Sequence, residues 1–180
     1  MSEQVRLDNI FRVFTAFDTD DDSRISWRDF EVKARGIGLE FRLAGASPEV
    51  TALTEAYREI WDYIRGADVD VDGEVTQEEF REAHEAGRLT TGELLTKWET
   101  AAARAFAIAD RDGDGRLDEQ EFTRLYRGAG ITDPQVAAIA FASVDVDSDG
   151  LLELSEFITQ TRGLFTATDE SAKGTHLLGE

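Results

Sequence analysis

Apolar residues recur at helical spacing in four stretches, and each stretch stops abruptly. Phe14 and Phe17, Ile64 and Ala67, Phe106 and Ala109, and Phe141 and Val144 are pairs three residues apart, so each pair lies on one helix face. A strongly polar run of twelve residues follows each pair. Only its eighth position is consistently branched aliphatic: Ile25, Val75, Leu117 and Leu152. A phenylalanine follows directly, as Phe30, Phe80, Phe122 or Phe157. The pattern predicts a helix into and a helix out of each polar run, four times over. Pro48 after Ser47 and Pro134 after Asp133 open the helices into the second and fourth runs. Thr90-Thr91-Gly92 caps the helix into the third. Gly36 to Gly45 and Gly128 to Gly130 read as bends, and Arg81 to Leu89 as a hinge between halves.

The polar runs carry recognisable chemistry. They span Asp18 to Asp29, Asp68 to Glu79, Asp110 to Glu121 and Asp145 to Glu156. Calcium is hard and large and takes six to eight oxygens, more than any one side chain supplies. A twelve-residue loop meets this with side chains at positions one, three and five, a backbone carbonyl at seven and a bidentate acid at twelve. Glycine at six permits the sharp turn. The second loop offers Asp68, Asp70, Asp72, Gly73, Glu74 and Glu79 at these places. The third offers Asp110, Asp112, Asp114, Gly115, Arg116 and Glu121, and the fourth Asp145, Asp147, Asp149, Gly150, Leu151 and Glu156. Each is the loop of an EF-hand.

The first loop departs twice. Asp18, Asp20, Asp22 and Arg24 are in place, but Ser23 stands at six and Asp29 at twelve. A positive φ at Ser23 costs about 1–2 kcal/mol. The shorter Asp29 arm predicts fewer oxygens on the ion and a narrower preference for calcium over octahedral magnesium. The expectation is up to four calcium ions, with magnesium competing most at the first loop.

EF-hands pair, so the predicted fold is all-α and compact: four hands in two paired lobes, with short two-stranded β-links between paired loops. The expected units are residues 1–89, residues 90–163 and a C-terminal tail, 164–180. The loops begin 50, 42 and 35 residues apart, which leaves room for an extra turn after the first hand.

Charge and composition narrow the function. The net charge is −19, and 22 of the 38 acidic residues lie in the four loops. Four calcium ions would bring the formal charge to −11. Such acidity predicts no nucleic-acid partner and no anionic membrane surface. The absence of cysteine excludes disulfides and thiolate chemistry. There is no basic leader, the second residue is Ser2 where myristoylation needs glycine, and no apolar run is long enough to span a bilayer. The expected location is therefore cytoplasmic. A monomer is expected. His84 and His176 stand far apart and near no nucleophile motif, which argues against an enzyme. His84 should face solvent, and the tryptophans Trp27, Trp61 and Trp98 should pack in the core.

With these four hands, the long first spacing and Asp29 closing the first loop, the chain resembles the sarcoplasmic calcium-binding proteins, and among them the bacterial calerythrin-like proteins. The likeness takes in the segment Arg6-Leu7-Asp8-Asn9-Ile10-Phe11 and the terminal Leu177-Leu178-Gly179. It implies two lobes packed on each other, a calcium buffer or store, and a first loop that binds despite ending in Asp. The second loop, degenerate in calerythrin, is intact here. A buffer also agrees with the methionine count, because Met1 is the only one and calcium sensors open a Met-rich groove. The alternative is a sensor that regulates a partner protein through a calcium-exposed apolar surface.

Overall fold

The computed structural model describes residues 3–166. Within them the chain runs α1 (Glu3–Phe17), β1 (Arg24–Ser26), α2 (Trp27–Glu40), α3 (Pro48–Ile64), a 3₁₀ turn (Arg65–Ala67), β2 (Glu74–Thr76), α4 (Gln77–Glu85), α5 (Thr91–Ala109), β3 (Arg116–Asp118), α6 (Glu119–Gly128), α7 (Pro134–Val144), β4 (Leu151–Glu153) and α8 (Leu154–Thr166). Each hand is thus helix, loop with a three-residue strand, helix. α8 runs three residues into the segment read as tail. The rest of that tail, with His176 and Leu177-Leu178-Gly179, lies outside the described residues.

The strands pair the hands as expected. β1 and β2 are antiparallel with Ile25 opposite Val75, and β3 and β4 are antiparallel with Leu117 opposite Leu152. These eighth-position side chains have no exposed surface at all. The residues flanking each loop are buried too: Phe14, Phe17, Ile64, Ala67, Phe106, Ala109, Phe141 and Val144 before the loops, and the four phenylalanines after them. Phe14 meets Phe80 edge-on at 5.6 Å, which ties the helix into hand one to the helix out of hand two. Phe122 meets Phe141 in the same way at 5.4 Å in the other pair. Trp61 is buried. Trp27 and Trp98 are half-buried against the same core. Trp27 lies under the Arg58 guanidinium, 3.3 Å from the ring centroid.

Helix ends follow local chemistry. Ser47 and Asp133 accept backbone N–H bonds ahead of Pro48 and Pro134, and Thr90 caps α5. The helices leaving the first three loops begin two residues before the final acid, which sits at the third helical position and closes a capping box with Ser26, Thr76 or Asp118.

Three expectations need correction. Gly36 and Gly38 are not in a bend: α2 continues through both to Glu40. They are glycine because other helices cross there. A Cβ on Gly38 would stand 2.8 Å from Val50, and Gly36 lies against the backbone of Gly128. Gly128 likewise ends α6 instead of sitting in a bend. The bend after α2 falls at Phe41 to Ser47, with Arg42 at φ 57°. Arg81 to Leu89 is no loose hinge. Leu89 is buried, and its N–H donates to Ala83 O at 3.1 Å, while the next N–H, of Thr90, donates to the Tyr63 hydroxyl at 3.0 Å. His84 does not simply face solvent. It is half-buried, with Nδ1 2.9 Å from Phe80 O and its ring 4.5 Å from that of Phe80.

The two pairs pack on each other broadly. α3 lies along α5, and α2 crosses α6. Glu40 at the end of α2 accepts hydrogen bonds from Arg127 on α6, at 2.9 Å from Nε, and Arg124 donates to Glu40 O at 2.8 Å.

Candidate metal centres

All four loops are built alike. The first aspartate holds the turn by accepting backbone N–H bonds from the far side. Asp18 accepts from Asp22 and Ser23, Asp68 from Val71 and Gly73, and Asp110 from Gly113 and Gly115, at 2.7–3.1 Å. In the fourth loop Asp145 Oδ2 accepts from Gly150 at 3.1 Å. The fifth position accepts from the seventh N–H in every loop: Asp22 from Arg24, Asp72 from Glu74, Asp114 from Arg116 and Asp149 from Leu151, at 2.8–2.9 Å. The third position of the last three loops accepts from the fifth N–H, as Asp70, Asp112 and Asp147.

These bonds draw carboxylates together. Ligand oxygens of Asp18, Asp20 and Asp22 lie within 4.8 Å of one another, as do those of Asp68, Asp70 and Asp72, and of Asp110, Asp112 and Asp114. In the fourth loop the group is Asp145, Asp147 and Glu156, and Asp149 lies outside it. Three anions at that separation repel, and only a cation or protons relieve them. The effect is visible in the first loop. Burial, together with the Asp29 charge, raises both Asp18 and Asp20 above the usual carboxylate range. A second sign is Asp145 Oδ1, which is buried, has no hydrogen-bond partner among the described residues and belongs to the fourth group. Hard oxygens in this number and spacing suit calcium.

The acids at position twelve share one arrangement. One oxygen accepts the N–H of position two and the other that of position nine. Glu79 takes Val69 and Thr76, Glu121 takes Arg111 and Asp118, and Glu156 takes Val146 and Glu153, at 2.9–3.3 Å. The shorter Asp29 reaches the same two groups, Thr19 at 2.9 Å and Ser26 at 2.8 Å, by being drawn in until it is only 4 % exposed. Burial works to raise Glu79, but its bonds from Thr76, Val69 and Asp70 outweigh that and lower it below the usual range.

The glycine rule is half of the backbone requirement. Position six is left-handed throughout: Ser23 at φ 67°, Gly73 at 89°, Gly115 at 85° and Gly150 at 80°. Ser23 therefore carries the expected strain. Position four is left-handed too, at Asp21, Val71, Gly113 and Ser148, with φ between 57° and 74°. Gly113 is the one hint of this in the sequence. The seventh side chains also have a role that the loop pattern does not announce. Arg24 hydrogen-bonds Glu74 and lies 3.6 Å from Asp72 of the paired loop. Arg116 lies 3.9 Å from Asp149 and 3.7 Å from Glu153 of its own paired loop.

Comparison with known proteins agrees with this geometry. The family model for an EF-hand domain pair matches residues 99–162. Calerythrin of Saccharopolyspora erythraea is 27% identical over 146 residues, which are 76% of this chain and 79% of that protein. The structure of a Streptomyces coelicolor calcium-binding protein superposes with a TM-score of 0.75 at 29% identity, covering 88% of this chain and 96% of the other. A sarcoplasmic calcium-binding protein from amphioxus shares the fold over 100% of this chain and 99% of its own, with a TM-score of 0.64 at 17% identity.

Proposed function

This calerythrin-like EF-hand calcium-binding protein acts, we propose, as a non-enzymatic intracellular calcium buffer or carrier. Its ligands would be the acids at positions one, three, five and twelve, with the backbone carbonyls of Arg24, Glu74, Arg116 and Leu151. The paired hands of residues 1–89 and 90–163 would be its two working halves. One observation carries the reading: the apolar faces of the two pairs are spent on each other. α3 lies on α5, α2 crosses α6 at Gly36 and Gly128, and Glu40 clamps Arg124 and Arg127 across the joint. A sensor must open such a face to a target, and here opening would break that joint. No described helix is long and apolar enough to cross a membrane.

A second reading is supported by the Streptomyces coelicolor relative, whose structure is described as a basis for calcium-mediated regulation. On that reading calcium would release one pair from the other for a protein partner. Fluorescence of the apolar dye ANS separates the two, on adding calcium to protein held in millimolar magnesium. A flat or falling signal supports the buffer. A strong rise means that calcium uncovers apolar surface, and the regulatory reading replaces it.

A further inference from the structure

Between the two pairs lies a cavity of about 200 Å³, lined by none of the loop carboxylates and touched by the first loop only at Thr19. Its wall is largely apolar, formed by Ile37, Ala102, Ala105, Leu125 and Phe157 among others. Besides Trp98, the polar side chains Thr15, Thr19, Lys33, Tyr57 and Tyr126 interrupt it. Lys33 on α2 has Nζ 3.4 Å from Ala16 O and 5.7 Å from the centre of the Trp98 ring, and both of those residues line the cavity. No carboxylate lies within ion-pair distance of that ammonium among the described residues. Tyr57 and Tyr126 also line the cavity. Both residues are buried, and neither hydroxyl has a hydrogen-bond partner among the described residues.

This is an unusual set to leave unmet. A lysine ammonium turned inward and given one long bond to a carbonyl keeps a cost that an anion would remove. The two tyrosine residues line the same space and leave their hydroxyls available as donors. The environment already works against the charge: burial lowers Lys33 to about 8, with Asp29 opposing only in part. Ligand sites have this character, with an apolar wall and a few convergent polar groups. Size limits the occupant. A cavity of about 150 Å³ holds benzene, so this one holds one ring with a short arm.

We propose that the cavity between the two EF-hand pairs is a binding site for a small carboxylic acid with a single aromatic ring. The ring fills the apolar end against Ala102, Ala105 and Phe157. Lys33 supplies the charge for the carboxylate, and the Tyr57 and Tyr126 hydroxyls are further donors to it. The site shares no carboxylate with the metal centres, adjoins the first of them at Thr19, and stands whether the protein buffers calcium or signals it.

The test is calorimetric titration of the calcium-loaded full chain with 3-phenylpropionate and with its neutral amide. The acid should bind at least ten-fold more tightly than the amide. Lys33→Met should erase that difference, while Lys33→Arg should keep most of it. Ala105→Phe should fill the space and abolish binding of both compounds. Removing an inward-facing charge should leave the unfolding midpoint of Lys33→Met equal to or above that of the parent, which shows that lost discrimination is not lost fold. Failure of the acid to bind the parent protein, equal binding of acid and amide, or an unchanged preference in Lys33→Met would each overturn the proposal.

Discussion

Gly36 in α2 and Gly128 at the end of α6 touch backbone to backbone, and neither position has room for a Cβ. One built on Gly128 would stand 2.7 Å from the Cα of Ile37 and 3.1 Å from Gly36 O. α2 leaves the first loop and α6 leaves the third, so this contact fixes the two pairs against each other. Gly128→Ala should force the helices apart. Overpacking of this kind costs about 1–3 kcal/mol. The midpoint of thermal unfolding should fall, and the transition should broaden or split as the pairs lose cooperativity. Gly45→Ala is the control, since nothing lies within 4 Å of its added Cβ. Equal melting curves for the two variants would show that the crossing does not hold the lobes together.

The same joint has an acid-sensitive part. Arg127, by hydrogen bond and charge, and Arg124 hold Glu40 below its ordinary value of 4.5. A carboxyl lowered by folding stabilises the fold fully above its unfolded value, and that stabilisation is lost as pH falls through the folded value. Glu40→Gln should therefore lower the unfolding midpoint by a few degrees at pH 7. The gap between parent and variant should close below pH 4.5. A gap that stayed constant as pH fell from 7 through 4.5 and on until the parent itself unfolds would assign the effect to packing and not to charge.

How much of this is open to sequence reading depends on the range of the cause. The loops are legible because every requirement is local: an oxygen at a fixed position, or a turn that Gly73, Gly115 and Gly150 allow. Helix starts at Pro48 and Pro134 are legible for the same reason. The glycines of α2 mislead because their cause lies on another helix, 92 residues away at Gly128, and nothing near Gly36 records it. The cavity is hidden likewise. Lys33 sits on a helix with charged neighbours, and only the packing of other helices brings Ala16 O and the Trp98 ring against it. Position four stays hidden behind Asp21, Val71 and Ser148, which adopt the left-handed turn without being glycine.

Arg24 and Arg116 bring a cation to the acids of the neighbouring loop, where calcium must come. Arg24 lies against Glu74 and Asp72, and Arg116 against Asp149 and Glu153. Each should weaken the site it faces by opposing the incoming ion. Arg24→Gln should tighten the second loop for calcium, and Arg116→Gln the fourth, by roughly two- to five-fold, the scale of exposed charge pairs. The gain should shrink at high salt, because such charges are screened. Calcium titrations at low and high ionic strength read both effects. Weaker binding in the variants would instead mean that the arginines hold the acids in ligand geometry.

Position twelve provides the most direct test of the ligands. Glu121→Gln and Glu156→Gln each keep the shape and remove one charge from a bidentate arm, so each should weaken its own loop at least ten-fold. Unchanged titrations of both would reject the ligand assignment. Asp29 poses the finer question. Its carboxylate already takes the N–H of Thr19 and of Ser26, the same two positions that the glutamates take, and it is more deeply buried than any of them. It does so with one methylene less, so a metal in the first loop is offered a shorter reach. Magnesium, which demands a small octahedral shell and tolerates water in place of an oxygen, loses less by this than calcium does. Asp29→Glu should therefore raise calcium affinity at the first loop and make that loop less sensitive to magnesium. Calcium titration in millimolar magnesium would show the weakest of the four steps moving towards the others. A variant whose first loop stayed equally sensitive to magnesium would place the cause elsewhere in the loop, with the strained Ser23 as the next residue to change.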